Sequence, residues 1–141
     1  MKEYTVKDLK ETQAVAVKLA QSLKGGELIA LTGNLGAGKT AFVKALAEAL
    51  GIKEEVTSPT FVLLKVYDID YKKVDKFVHV DCYRLRGQED LFDIGLGDYL
   101  NYDNMIVAIE WADKIVNLPK EAIKIHLEII DNYKRKITFL N

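Results

Sequence analysis

Apolar residues form unbroken runs in some stretches of the chain and alternate with polar residues in others. Unbroken runs at residues 28–31 and 105–109 predict short strands that are buried on both faces. Strict alternation over residues 123–129 predicts a strand with one exposed face. Residues 135–140 have the composition of a strand and follow an Asp-Asn-Tyr turn, so we expect them to pair with 123–129 as a hairpin.

A helical spacing of apolar residues occurs in two other stretches. Residues 40–50 predict an amphipathic helix, and Gly51 stands where a left-handed residue would end it. The other helix is predicted to begin at Thr5, because Thr5 and Asp8 have the spacing of a capping box. Its apolar face is expected to comprise Leu9, Ala16, Leu19, Ala20 and Leu23.

The middle of the chain has a mixed pattern. Residues 61–67 and 77–81 predict two strands of a hairpin, joined by a polar, turn-like segment over 68–76. Residues 83–102 predict short helical pieces interrupted by glycines. The elements together predict an α/β fold, a three-layer sandwich with a central, mainly parallel sheet and antiparallel additions. Residues 1–141 are expected to form a single domain.

Composition and charge narrow the function classes. The net charge is −1, which gives no basic field for non-specific binding of nucleic acid. Arg84, Arg86 and Arg135 are the only arginines, which is few for clamping a second phosphorylated substrate. Cys82 is the only cysteine, so a reducing compartment is expected. Without an apolar run of membrane-spanning length or a signal-peptide core, the sequence predicts a cytoplasmic protein with no membrane association.

One glycine-rich segment carries the clearest chemistry. Residues 33–40 read Gly-Asn-Leu-Gly-Ala-Gly-Lys-Thr, a phosphate-binding loop (Walker A motif) between a predicted strand and a predicted helix. Glycines let the backbone turn its N–H groups towards an anion, and the helix N-terminus adds partial positive charge. Lys39 is expected to reach the terminal phosphates, and the Thr40 hydroxyl is placed to ligate a bound Mg²⁺. The segment therefore predicts a P-loop NTPase-like fold that binds a nucleotide.

Two predicted strands end in an acidic residue. Asp81 ends one of them and Glu110 ends the other, and both are expected at the edge of the sheet that carries the loop. Either acid could supply an oxygen ligand to Mg²⁺, although exposed acids just past a strand are also common.

Between the loop's helix and the next strand lies a Thr-Ser-Pro-Thr sequence. Its hydroxyl residues Thr57, Ser58 and Thr60 stand where a phosphate-sensing switch segment is expected. The alternative is a strand-entry turn whose hydroxyls bond to the backbone.

Four other side chains could have structural or functional roles. His79 is expected to be a hydrogen-bonded structural histidine, and His126 a solvated one on a polar strand face. Cys82 is expected to be a small buried side chain rather than a nucleophile. Trp111 either packs in the core or presents an aromatic face to nucleotide or to a partner.

The order of these motifs resembles the TsaE family, also called YjeE. The match rests on the loop at 33–40, then Thr-Ser-Pro-Thr-Phe at 57–61, His-Val-Asp-Cys-Tyr-Arg-Leu at 79–85 and Ile-Glu-Trp at 109–111. The resemblance spans nearly the whole chain. It implies a small ATPase that binds ATP and Mg²⁺, hydrolyses ATP slowly, and supports the TsaB and TsaD proteins in forming threonylcarbamoyladenosine in tRNA. It further implies that tRNA is reached indirectly, through the complex.

The resemblance also implies site residues. Catalytic roles fall on Lys39, Asp81 and Glu110, and Mg²⁺ ligation falls on Thr40 and Glu110. Partner contact or catalysis is implied for Arg84 and Trp111. Nucleotide contacts are implied for Thr12, Leu35, Gly36, Ala37, Gly38, Lys39, Thr40 and Ala41.

Two loop residues depart from the TsaE family pattern, and two alternative activities remain open. Asn34 replaces the usual acid of the loop, and Ala41 stands where many members have a second threonine, so affinity or rate could differ. No Asn-Lys-x-Asp element for reading guanine is present, which weakens the case for GTP. A small-molecule kinase is one alternative activity. A nucleotide-dependent binding module with little catalysis is the other.

Overall fold

The computed structural model describes residues 1–57 and 63–140. Within them the chain forms seven strands, two α-helices and two short 3₁₀ helices. The strands are β1 (Lys2–Val6), β2 (Leu28–Thr32), β3 (Leu64–Tyr71), β4 (Val74–Asp81), β5 (Met105–Glu110), β6 (Ile123–Ile129) and β7 (Arg135–Leu140). The α-helices are α1 (Leu9–Ser22) and α2 (Lys39–Ala49), and the 3₁₀ helices span Leu96–Tyr99 and Ala112–Lys114.

All seven strands belong to one sheet, in the order β1-β7-β6-β2-β5-β4-β3. The four central strands β6, β2, β5 and β4 are mutually parallel. The outer strands β7 and β1 on one side, and β3 on the other, pair antiparallel. The predicted mainly parallel sheet with antiparallel additions is confirmed.

The sheet is covered differently on its two faces. Helices α1 and α2 pack on one face, where Phe42 and Leu46 of α2 belong to the same buried apolar cluster as Ile29 and Leu31 of β2. The segments that follow β4 and β5 cover the other face, with Leu91 and other apolar side chains. The predicted three-layer arrangement is confirmed. Of the short helical pieces predicted over residues 83–102, the structure has one, the 3₁₀ helix Leu96–Tyr99, and Gly97 lies inside it rather than ending it. Irregular chain and 3₁₀ turns, rather than long helices, make up the second covering layer.

The burial of β2 and β5 explains their unbroken apolar runs. Ile29 and Leu31 pack under the helices, whereas Leu28 and Ala30 point to the other layer, so every apolar position of β2 is buried. Each strand has a parallel neighbour on both sides, as expected of central strands.

The end of α2 matches the prediction. Gly51 has a φ of +94°. Its N–H donates to the Glu48 carbonyl at 3.0 Å, and the Ile52 N–H donates to the Ala47 carbonyl at 3.0 Å. This pair of bonds is a Schellman motif, which satisfies carbonyls that the helix leaves without partners.

The predicted start of the first helix is wrong. Residues up to Val6 form the edge strand β1, which pairs with β7. The helix is capped instead by Asp8, whose Oδ1 accepts from the Glu11 N–H at 2.9 Å, while the Glu11 Oε1 accepts from the Lys7 N–H at 2.9 Å. Leu9 is consequently exposed at the first turn and lies outside the apolar face assigned to it.

The predicted turn between the hairpin strands is also wrong in extent. β3 continues to Tyr71 and β4 already begins at Val74, so most of residues 68–76 is strand. Asp68 and Asp70 point to solvent while Tyr67 is buried, which is how an edge strand accommodates acids that are otherwise rare in strands. Residues 61 and 62, the start of the predicted first strand, lie outside the described residues.

Among the described residues, neither α1 nor α2 has the length and hydrophobicity that a membrane-spanning helix requires.

Candidate functional site

The phosphate loop connects the end of β2 to the start of α2. Gly38 caps the helix with a φ of +103°, and Gly33 and Gly36 also have positive φ angles, of +143° and +82°. L-amino acids with a side chain rarely adopt these angles. The loop therefore lies at a helix N-terminus, where backbone N–H groups and the helix dipole favour an anion.

Gly33 is further constrained by its neighbour β6. A Cβ atom at Gly33 would overlap the carbonyl oxygen of Leu127, whereas a Cβ at Gly36 would meet only the Ile129 Cδ1 at 3.9 Å. The loop therefore approaches the backbone of β6 at Gly33 and is open at Gly36.

Gly33→Ala is therefore expected to destabilise the protein more than Gly36→Ala. Both substitutions place alanine at a positive φ, which costs about 1–2 kcal/mol. Only Gly33→Ala adds a clash with the backbone, which brings its total loss of unfolding free energy to about 3 kcal/mol. Urea unfolding of the two variants measures the difference, and equal losses of unfolding free energy would contradict this reading of the β6 contact.

Lys39 is almost completely buried, with 4% of its surface exposed. Its ammonium group donates to the carbonyl oxygens of Gly33 and of Asn34, the latter at 2.9 Å. The same nitrogen lies 4.0 Å from the centre of the Trp111 ring, a cation–π contact. Burial lowers the pKa of Lys39, and the carboxylates of Glu110, Asp113 and Asp81 partly oppose that shift. A phosphate bound in the loop would compete with these two carbonyls for the ammonium group.

Thr40, Glu110 and His79 form a connected group beside the loop. The Thr40 hydroxyl donates to the Glu110 Oε1 at 2.7 Å. The other carboxylate oxygen, Oε2, lies 2.6 Å from the Nε2 of His79. The prediction that His79 is hydrogen-bonded is confirmed, and its side chain is fully buried.

Asp81 lies next to Glu110 in the sheet, because the two residues are register partners at the ends of β4 and β5. Its Oδ1 accepts from the Tyr83 N–H at 2.9 Å.

Cys82, the residue after Asp81, is fully buried. Burial is the main cause that raises the pKa of its thiol to about 12, and the negative charge of Asp81 adds to the shift. The prediction that Cys82 is a buried side chain is confirmed, and its high pKa argues against a nucleophile.

An aromatic pair borders the site beyond β5. The ring centres of Trp111 and Tyr83 are 5.1 Å apart, and the Lys114 ammonium lies 5.6 Å from the Trp111 ring centre. Trp111 has a left-handed backbone with φ of 57° and ψ of 43°, which is uncommon for a large residue. Arg84 is exposed in the segment after β4. Trp111 thus presents an aromatic face to the loop lysine.

A cavity of about 210 Å³ lies on the other side of the loop. Thr12 of α1, Leu127 of β6 and Arg135 of β7 contribute to its walls together with Tyr133, and the loop side is formed by Gly36, Ala37, Gly38 and Ala41. The Arg135 Nε donates to the Gly36 carbonyl at 3.3 Å. The structure therefore brings Thr12, distant in sequence, next to the phosphate loop.

A family model described as "Threonylcarbamoyl adenosine biosynthesis protein TsaE" matches residues 6–137. The chain belongs to the TsaE family. Proteins described as "tRNA threonylcarbamoyladenosine biosynthesis protein TsaE" match it from Treponema pallidum, at 43% identity over 82% of this chain and 83% of that protein, and from Aquifex aeolicus, at 40% identity over 97% and 94%. The crystal structure of Bacillus subtilis YdiB superposes with a TM-score of 0.76 and 32% identity, covering 98% of this chain and 83% of that one.

The resemblance to the TsaE family predicted from the motifs is thus confirmed, and with it a role of the family in tRNA threonylcarbamoyladenosine biosynthesis. The roles of individual residues stay predictions. Of the TsaE motif residues expected to form a switch, Ser58 and Thr60 lie outside the described residues, and Thr57 is exposed. Leu35 is exposed at the tip of the loop.

Sequence reasoning missed three contacts around the TsaE phosphate loop. Arg135 and Tyr133 line the cavity beside Thr12, and only the scarcity of arginine could have singled out Arg135. The prediction that His126 is merely solvated is wrong, since its Nδ1 lies 2.7 Å from the Thr32 hydroxyl at the end of β2.

The oxygen atoms beside the loop suit Mg²⁺. Thr40 and Glu110 offer a hydroxyl and a carboxylate, and Asp81 ends the adjacent strand. Mg²⁺ prefers such hard ligands and is commonly held by one or two protein groups plus phosphates and water. Within residues 1–57 and 63–140, no group of three or more His, Cys, Asp and Glu side chains is arranged to hold a metal by itself. The donor set therefore fits a cation that arrives with a nucleotide.

Proposed function

We propose that this protein binds ATP together with Mg²⁺ and hydrolyses it slowly in support of tRNA threonylcarbamoyladenosine formation. The observation that carries the proposal is the hydrogen bond of 2.7 Å between the Thr40 hydroxyl and the Glu110 Oε1. It brings the first turn of the loop's helix next to an acid at the end of the neighbouring parallel strand, and a loop hydroxyl and an acid are the two side chains with which P-loop proteins hold Mg²⁺.

The phosphates are proposed to lie over the loop, where backbone N–H groups and the Lys39 ammonium bind them. The base is proposed to occupy the cavity that Thr12 lines, because this cavity opens directly beside Gly36, Ala37 and Gly38. Mg²⁺, held by Thr40 and Glu110, would neutralise charge that develops on the phosphates. Asp81 is proposed to orient water from the adjacent strand end.

The relatives' names support the pathway but leave the partners open. We propose that the TsaB–TsaD pair is the partner complex in the cytoplasm, that tRNA is reached through this complex, and that residues 1–141 act as one ATPase domain. Arg84 and Trp111, which lie on the segments after β4 and β5, are proposed as partner-facing side chains. The Trp111 ring also contacts the Lys39 ammonium group, so a partner that binds Trp111 would bind directly beside the loop lysine.

The partnership predicts a clear change in rate. ATP hydrolysis by the purified protein is expected to be slow alone and to rise at least about tenfold when TsaB and TsaD are added, because groups missing from the site can be supplied by a partner. Phosphate release measures both rates. The Lys39→Ala protein mixed with TsaB and TsaD is the control for any activity of the partners themselves.

Other results would redirect the proposal. Nucleotide binding without stimulation would favour a binding module, or partners other than TsaB and TsaD. Transfer of the γ-phosphate to an added small-molecule acceptor, rather than to water, would show a kinase instead.

A further inference from the structure

His79 is a fully buried polar residue of the sheet. It lies near the end of β4, and its side chain has no exposed surface. Its Nε2 lies 2.6 Å from the Glu110 Oε2 on the neighbouring strand β5. A carboxylate that ligates a metal is deprotonated and only accepts hydrogen bonds, so with Glu110 on Mg²⁺ the Nε2 nitrogen is the donor of this pair.

Glu110 therefore has a partner on each carboxylate oxygen. Thr40 donates to Oε1 at 2.7 Å, and His79 donates to Oε2. The carboxylate is itself only 2% exposed, so water has little access to it. With Oε2 held by His79, the carboxylate cannot rotate without breaking a buried, charge-assisted hydrogen bond.

We propose that His79 is a positioning residue that orients the Glu110 carboxylate, so that Oε1 faces Thr40 and a nucleotide-bound Mg²⁺. The inference rests on the proposed function, since it assigns Glu110 to Mg²⁺. Residues that hydrogen-bond to a metal's carboxylate ligand typically change metal affinity by about 10–100-fold when they are replaced.

A purely structural role explains His79 less well. Within the described part of the chain its second nitrogen, Nδ1, is buried without a hydrogen-bond partner. A buried polar atom without a partner is unfavourable, and an apolar side chain would fill the same space without that cost. An apolar residue could not supply the hydrogen bond between Nε2 and the Glu110 Oε2.

The test compares two amide substitutions that differ in reach. In His79→Gln the amide nitrogen is three bonds from Cβ, as Nε2 is, so it can donate to Glu110 Oε2. In His79→Asn the amide nitrogen is one bond shorter and falls short of Oε2. Calorimetry would measure ATP affinity in EDTA and the Mg²⁺ concentration that gives half of the Mg²⁺-dependent gain in affinity.

His79→Asn is expected to raise that Mg²⁺ concentration about tenfold, with ATP affinity in EDTA changed by less than about twofold. His79→Gln is expected to stay within about threefold of the unsubstituted protein. Tyr67→Phe is the matched control, because the Tyr67 hydroxyl is also buried without a partner in the described residues but is not directed at Glu110. It should leave the Mg²⁺ dependence unchanged.

Two results separate failure of this inference from failure of the proposed function. If both amide variants keep the unsubstituted Mg²⁺ dependence, or lose it equally, His79 does not position Glu110. If the unsubstituted protein binds ATP with no dependence on Mg²⁺, the assignment of Glu110 to the metal is itself wrong.

Discussion

Lys39→Ala is expected to reduce ATP hydrolysis by about 100-fold or more, with or without partner proteins. The buried ammonium group is the charge nearest to the loop carbonyls of Gly33 and Asn34. Each hydrogen bond from a charged donor contributes about 1.5–3 kcal/mol, and each 1.36 kcal/mol of barrier is tenfold in rate. Phosphate release at saturating ATP measures the loss.

Lys44→Ala is the matched control, because Lys44 is an exposed lysine of the same helix. It removes the same charge and the same side-chain length without touching the loop. Turnover in the Lys39→Ala protein at the rate of the Lys44→Ala protein would mean that hydrolysis takes place somewhere other than at the loop.

Thr40→Ala is expected to lose turnover as well, whereas Thr40→Ser should keep a measurable fraction. Only serine retains the hydroxyl that donates to Glu110. Similar activity in the alanine and serine variants would show that the hydroxyl is dispensable. Thermal unfolding of both proteins would identify any loss that is due to misfolding.

Glu110→Ala is expected to weaken Mg²⁺-dependent ATP binding by about 100-fold, which is about 2.7 kcal/mol. Asp81→Ala is expected to impair hydrolysis more than binding. The difference follows from position, because Glu110 accepts from the Thr40 hydroxyl while the Asp81 Oδ1 accepts from the Tyr83 N–H beyond the strand. Calorimetry with and without Mg²⁺, together with phosphate release, separates the two effects.

Glu110→Gln serves as the control for packing, since it keeps the side-chain volume and one acceptor oxygen while it removes the charge and turns the other oxygen into an amide donor. Reversed effects, with Asp81 controlling Mg²⁺-dependent binding and Glu110 only the rate, would exchange the roles of the two strands. Equal effects on binding would show that both carboxylates hold the metal.

The core of this fold could be predicted because its signals are local. Residues 28–31 are apolar throughout since β2 has parallel neighbours on both sides and a covering layer on both faces. The loop is recognisable because positive φ angles at Gly33, Gly36 and Gly38 are compatible with few other residues. In both cases the constrained residues lie within a few positions of one another, so a short window of sequence is enough to predict the strand and the loop.

What could not be predicted depends on residues that are far apart. β1 exists because it pairs with β7 at the other end of the chain, and its five residues carry little pattern by themselves. Arg135 reaches the phosphate loop only after β7 has joined the sheet. The His79–Glu110 hydrogen bond likewise depends on the pairing of β4 with β5, which a strand ending in an acid does not reveal.

The strand order has a consequence for synthesis of the protein. β2, which leads into the phosphate loop, lies between β5 and β6, although both follow it in the chain. A nascent chain leaving the ribosome therefore exposes the glycine loop before either flanking strand exists. Pairing between such distant segments is slow to form. A truncated product without β5 and β6 would carry the motif but would lack Glu110 and the β6 backbone that lies against Gly33.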